Sequence, residues 1–260
     1  MKNAVWEYLD LMYDDETWPD TDPAVCIDSF WSDRKLALQD LIDAYGEVAL
    51  AEDDSDIRDQ LWDEGTEYPG CVALASAPQL MLDVIVRGLL VIAKSHFDHL
   101  LDLFEASQGE SQERLAHVIA LHGLGSSESR AAKRMLAASA AEFSPGNDNL
   151  RSFAFQAFGK LEQPSGAMID TITRAAEDTS SPQPLRAVAI ESLMDMGPVA
   201  AAAIPVLRAI KETDEDSDLR MFAWAALKSV SADDKDHPSG GTVAQHMRSL
   251  GHGVSEPTDE

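Results

Sequence analysis

At 260 residues with 45% hydrophobic side chains, the chain can bury a sizeable core and exceeds the commonest single-domain length. A formal net charge of −26 and a pI near 4.4 disfavour direct binding of nucleic acid or an anionic membrane, since phosphate binding needs a basic footprint. Cys26 and Cys71, with no CxxC pair, argue against a disulfide scaffold or thiolate metal site and suit a reducing compartment, so a cytoplasmic location is expected.

The first 70 residues hold 20 Asp or Glu against 4 Lys or Arg, a balance of −16. The opening, MKNAVWEYLDLMYDDE, has one lysine and then acids where a signal peptide needs a basic start and an apolar run. No later stretch approaches the ~18 uninterrupted apolar residues of a membrane span. Four of the five tryptophans, Trp6, Trp18, Trp31 and Trp62, lie in this third beside carboxylates, in VWEYLD, DDETWPDTD, DSFWSD and DQLWDEG. Tryptophan is a typical interface anchor, and surrounding acids would steer a basic partner inward. Asp14, Asp15, Glu16, Trp18, Asp20, Asp53, Asp54, Asp56 and Trp62 are therefore the candidate partner-binding residues. Trp6 and Trp62 also suit packing, and the acidity with only eight lysines also suits solubility or a salty cytoplasm. Within this part, SDRKLALQDLIDAYGEVAL reads as a long helix and SDIRDQLWDEG as a short one.

From residue 76 the chain reads as helical hairpins. APQLMLDVIVRGLLVIAKSHFDHLLDLFEAS has a two-helix form, and four segments then align: ERLAHVIALHGLG, LRSFAFQAFGKLE, LRAVAIESLMDMG and LRMFAWAALKSVS. Their arginines, Arg114, Arg151, Arg186 and Arg220, are separated by 37, 35 and 34 residues. Three of the segments lead into a loop and a second amphipathic stretch: SSESRAAKRMLAASAAEF, QPSGAMIDTITRAAED and GPVAAAAIPVLRAIKE. Asp148 or Asn149, Pro184 and Asp218 mark helix starts. In the last of the second stretches Gly197 ends a helix, Pro198 opens the turn VAAAA, and Pro205 sits in the first turn of the next helix, where its missing N–H costs little. A hairpin cannot bury both faces, so the chain is expected to be all-α, an α-solenoid of about four to five hairpins over residues 76–231 with a divergent acidic helical cap or subdomain over residues 1–75. Residues 232–260 read as a polar linker, SADDKDHPSGG, then TVAQHMRSLG as a possible capping helix, and a frayed end.

LRAVAIESLMDMGPVAAAAIPVLRAIKETDEDSDLRMFAWAALKSV resembles the short bacterial HEAT repeats, similar to those of the phycobiliprotein lyase class. That pattern runs from an Arg-led first helix through a Gly-Pro turn and an Ile-Pro pair to an acidic loop. The resemblance is carried by residues 180–231, extends less regularly to 110 and loosely to 77; residues 1–75 depart from it. It implies a HEAT-type scaffold, with second helices tending to line a concave side.

On those second helices Arg130, Lys133 and Arg134, then Arg174, then Arg208 and Lys211 could form a basic stripe; pairing with local acids such as Glu128, Glu177 and Glu212 reads them as ordinary solvated residues. The arginine ladder reads as inter-repeat structure. His96, His99, His117 and His122 read as structural or surface histidines, because a metal site needs three or more convergent ligands. No GxSxG elbow, phosphate-cradling glycine loop or HExxH occurs, so no enzymatic activity, cofactor or metal is expected. The expected function is a non-enzymatic module that binds a basic protein, foremost an immunity protein neutralising a secreted toxin such as a nuclease by occlusion. The alternative is a scaffold, chaperone or lyase-type adaptor that presents a client protein or chromophore.

Overall fold

The computed structural model describes residues 1–12, 22–51, 55–65, 67–68, 71, 77–140 and 148–231, and among them the secondary structure is helical with no strand. The helices form two compact units, Met1–Leu161 and Glu162–Glu260. The division expected at residue 75 thus falls inside the first unit. Of the 232–260 segment, the expected linker and capping helix lie outside the described residues.

In the first unit, α1 (Asn3–Met12) buries Val5, Trp6, Tyr8, Leu9 and Met12, a helical-spaced stripe that packs on its neighbours. Asp22 caps α2 (Pro23–Phe30), accepting from the Ala24 N–H at 2.9 Å with Pro23 in the first turn, and Asp33 caps α3 (Arg34–Leu50) through the Lys35 N–H at 2.9 Å. The short α4 is Ser55–Gly65. The expected two-helix segment is one run, α5 (Pro78–Ala106), bent where His96 leaves helical geometry at φ −129° and ψ 33°. Ser95 Oγ, bonded to the Ile92 carbonyl at 3.2 Å and 2.8 Å from His96 Nδ1, sits at this bend, the kind of side-chain intrusion that kinks helices. After it come α6 (Glu110–His122), ended by Gly123 at φ +95°, then α7 (Arg130–Ala140) and α8 (Asp148–Gly159). α3 packs along α5, α5 on α6, α6 on α8 and α7 on α8.

In the second unit, α9 (Gly166–Glu177) is followed by α10 (Gln183–Met196), a 3₁₀ segment (Gly197–Ala203), α11 (Ile204–Thr213) and α12 (Ser217–Val230). α10 lies against both α9 and α12, and α11 packs on α12. Gly197 at φ +61° stops α10, and Pro198 starts the 3₁₀ turn. Asp216, rather than Asp218, is the N-cap of α12, its Oδ1 accepting from the N–H groups of Asp218 and Leu219 at 2.8 and 3.1 Å. An 18-residue window within Gln183–Thr213 has a mean hydropathy of 1.5, enough by length and composition to cross a membrane, although charged residues such as Asp195 interrupt it as an apolar run. Here it is two helices broken by a left-handed glycine and a 3₁₀ turn, with Leu193 and Leu207 fully buried.

The close crossing of α1 and α5 depends on one missing side chain. The Tyr8 hydroxyl donates to the Val84 carbonyl at 3.1 Å, and a Cβ on Gly88 would stand 2.6 Å from that oxygen. Gly88→Ala gains about 1 kcal/mol in helix propensity but overpacks a buried ring at a cost of roughly 1–3 kcal/mol. Urea unfolding of the Gly88→Ala protein is therefore expected to show a net loss of about 1–2 kcal/mol, partly recovered by adding Tyr8→Phe.

Candidate functional site

α4 is held from one side and acidic on the other. Leu61 and Gly65 are buried, Arg58 Nε donates to the Ala51 carbonyl at 3.0 Å, and Glu64 accepts from Trp6 Nε1 at 3.2 Å and Gln60 Nε2 at 3.0 Å. Burial opposes the Glu64 charge, but these donors, with the Met1 ammonium at 2.8 Å, hold its carboxyl below the usual range. With that face fixed, Asp56, Asp59, Trp62 and Asp63 all project outward, spaced by three or four residues along one stripe, and Trp62 is 40% exposed. Asp56 and Trp62 are thus brought onto one face. Asp14, Asp15, Glu16, Trp18, Asp20, Asp53 and Asp54 lie outside the described residues. Asp59 and Asp63 were not singled out in sequence, although DQLWDEG contains them; only the inward position of Leu61 shows that they flank the tryptophan.

Among the described residues, Trp6 and Trp31 face inward. Trp6 is buried and stacks on Tyr68 with ring centroids 5.9 Å apart. Trp31 is also buried, and its Nε1 donates to Asp40 Oδ2 at 3.0 Å, while the other Asp40 oxygen pairs with the Lys2 ammonium. Asp40 is itself only 5% exposed, so its charge is met by an indole donor and a cation rather than water. Among the described residues the acid-flanked tryptophans thus divide into two core residues, Trp6 and Trp31, and the outward Trp62.

The α7 members of the basic stripe are answered by acids. Arg130 pairs with Asp102 and Glu105 of α5 at 2.7 and 2.8 Å, Arg134 with Glu105 at 2.9 Å, and Lys133 with Glu128 at 3.0 Å. Arg174 donates to the Asp170 carbonyl at 3.3 Å; Arg208 is exposed on α11. Glu128 matches the expected local pairing, while the α5 acids come from the preceding helix. Exposed pairs of this kind contribute little each.

The arginine ladder is internal. Arg186 is buried, donates from Nε to the Ala176 carbonyl at 3.0 Å at the end of α9, and pairs with Asp214. Arg220 donates to the carbonyls of Asp214 and Glu215 at 2.7 and 3.0 Å. Burial opposes ionisation of Asp214, but Arg186, the Asp216 N–H and Arg220 hold it below the usual carboxylate range. Arg114 lies against Gly46, where a Cβ would meet its guanidinium at 1.9 Å, and pairs with Glu110.

His117 and His122 serve as flat packing groups. His117 stacks on Phe153 with centroids 4.5 Å apart and lies 2.9 Å from the Tyr45 hydroxyl, joining α6, α8 and α3; His122 stacks on Phe97 at 4.3 Å. Nothing in the sequence links Tyr45, His117 and Phe153, which are far apart along the chain. Among the described residues no group of three His, Cys, Asp or Glu could hold a metal ion. Burial pushes the Cys71 thiol up to about 12, with Sγ 3.5 Å from the Trp6 carbonyl, so it is not a thiolate at neutral pH.

Comparison with protein-family models, with curated proteins and with solved structures finds no match for the chain.

Two outcomes test these contacts. Arg186→Met should cost roughly 3–5 kcal/mol in chemical unfolding, because it leaves Asp214 and a buried carbonyl without their donor, whereas Arg130→Ala should stay within about 1 kcal/mol. Burial, followed by the nearby Lys160 charge, lowers the pKa of His117, so the unfolded chain binds its proton more readily. The stability that neutral His117 contributes is complete above its unfolded pKa of about 6.5 and is lost as pH falls from there through the lower folded value. Thermal unfolding between about pH 5 and 7.5 should show His117→Phe with the flatter pH dependence, and parallel curves would remove His117 as the source.

Proposed function

We propose that this chain is a non-enzymatic protein-binding module built of HEAT-like hairpins, an α-solenoid in design, whose acidic N-terminal part grips a basic protein in the cytoplasm. The observation that carries the reading is the outward stripe of α4, where Trp62 stands among Asp56, Asp59 and Asp63. An amphipathic ring at 40% exposure supplies contact area, and the carboxylates supply long-range attraction to Lys and Arg. The pairwise stacking of α9, α10, α11 and α12 supports the hairpin reading.

The partner class follows from charge. An enzyme that acts on nucleic acid lines its groove with cations to hold phosphates, and a polyanionic protein surface can fill that groove in the substrate's place. The reading is therefore an immunity protein that neutralises a basic secreted toxin, a nuclease foremost, by occlusion. The step from surface to toxin is one of class, since a fold of hairpins serves many binding tasks.

Capture on the immobilised full chain should retain a protein of pI above about 9 whose nuclease activity is suppressed at one-to-one stoichiometry. Its association rate should fall about tenfold or more from about 50 to about 500 mM salt, and Asp59→Lys with Asp63→Lys should weaken binding at least about tenfold while leaving helicity unchanged. A captured partner that is acidic, or one indifferent to salt and to both substitutions, overturns the reading.

A further inference from the structure

The outward side of α12 is apolar in the middle and oppositely charged at its two ends. Ser217, Met221, Trp224 and Lys228 recur at i, i+4, i+7 and i+11, one stripe that lies opposite the buried Leu219, Ala223, Ala226 and Val230. On it Met221 is half-buried and Trp224 is 44% exposed. Aligned on Arg186 and Arg220, Ile190 of α10 takes the register position of Trp224, and it is fully buried in a helix that has α9 and α12 against it. Lys228 lies 3.7 Å over the Trp224 ring, and no described carboxylate pairs with its ammonium. Glu215 and Asp218, at the start of the helix, are exposed, and no described cation pairs with their carboxylates.

We propose that two copies of this chain pair through α12, stripe against stripe and antiparallel about a two-fold axis. With the axis level with the midpoint between Met221 and Trp224, each Met221 faces the Trp224 of the second copy, a pairing that polarisable sulfur favours. Each Lys228 then stands at the level of the second copy's Ser217 and Asp218, with Glu215 just beyond, and its long stem carries the ammonium to those acids. A parallel arrangement would set Lys228 on Lys228 and Asp218 on Asp218, so the charges select the antiparallel one. The pairing supplies Trp224 with the apolar cover that Ile190 already has, and because a two-fold contact is closed the array ends at two chains. Repulsion between copies arises mainly elsewhere: residues 1–70 carry a balance of −16, whereas residues 162–231 hold 11 acids against 6 bases, a balance of −5. At physiological ionic strength, exposed charges more than about 8 Å apart are largely screened. This inference stands apart from the identity of any other partner.

The test is the mass of the full chain in solution, by sedimentation at physiological salt over a range of protein concentrations, with circular dichroism confirming the fold of each variant. The wild type should sediment as a dimer and Trp224→Asp as a folded monomer. Lys228→Glu should weaken the dimer about tenfold or more, and adding Glu215→Lys with Asp218→Lys to it should restore the pairing, an exchange of charge that a role confined to one chain would not reward. A wild type that stays monomeric throughout overturns the proposal. So does a dimer indifferent to Trp224→Asp, which would place the contact elsewhere, and so does a charge exchange that fails to restore what Lys228→Glu removes.

Discussion

A helix that packs between neighbours must do something with the ends of those neighbours. The last carbonyls of an α-helix have no partner within it, and where hairpins stack these ends come to lie under the next helix, away from water. Arg186 resolves this for α9: Nε takes the Ala176 carbonyl, and the same guanidinium pairs with Asp214 in the turn before α12. Arg220 repeats the device on the carbonyls of Asp214 and Glu215. A guanidinium suits the task because it presents several fixed donors and keeps its charge when buried. The 34-residue step from Arg186 to Arg220 is the chain length that returns a first helix to the neighbouring loop, so the sequence period and the buried polar chemistry have one cause.

That coupling explains what could be read in advance. Gly197, Pro198 and Pro205 are local instructions, since backbone dihedrals and a missing N–H act within a turn, and the break between α10 and α11 falls where they stand. The helical character of the repeats was legible from periodic Leu and Ala for the same reason. The bend at His96 was not, because Ser95 and His96 are unremarkable helix residues whose hydrogen bonds only the folded chain reveals. α2 escaped notice because its eight residues, PAVCIDSF, are too few to display a period. The Asp40 pair with Trp31 and the Tyr45–His117 contact join residues that no spacing rule connects.

Charge distribution links the scaffold to the proposed surface. Three of the four cations in the first 70 residues are engaged with specific acceptors: Lys2 with Asp40, Arg34 with Asp28 in a two-pronged pair at 2.7 and 2.8 Å, and Arg58 with the Ala51 carbonyl. Arg130 and Arg134 likewise turn toward α5 acids. The Lys2, Arg34, Arg130 and Arg134 contacts each neutralise a chosen carboxylate, which leaves the chain's large surplus of acids over bases unanswered by cations. A field of one sign of this kind speeds the encounter with an oppositely charged protein and also repels a second copy of the same chain.

The tryptophans show why composition alone could not place that surface. VWEYLD, DSFWSD and DQLWDEG are nearly equivalent as text, an indole among acids, yet Trp6 and Trp31 are buried with their N–H groups bonded to Glu64 and Asp40 while Trp62 faces water. The difference is helical phase. In α4 the inward position belongs to Leu61, and the next residue is rotated by about 100° around the helix, which carries Trp62 out of the core and sets it between Asp59 and Asp63. In α1 the inward positions are taken by Val5, Trp6 and Leu9, so Trp6 joins the core and a neighbouring acid, Glu7, is turned outward in its place. An aromatic beside acids reaches solvent when an aliphatic neighbour holds the buried side of its helix, and in the described part of the first third that condition is met at Trp62.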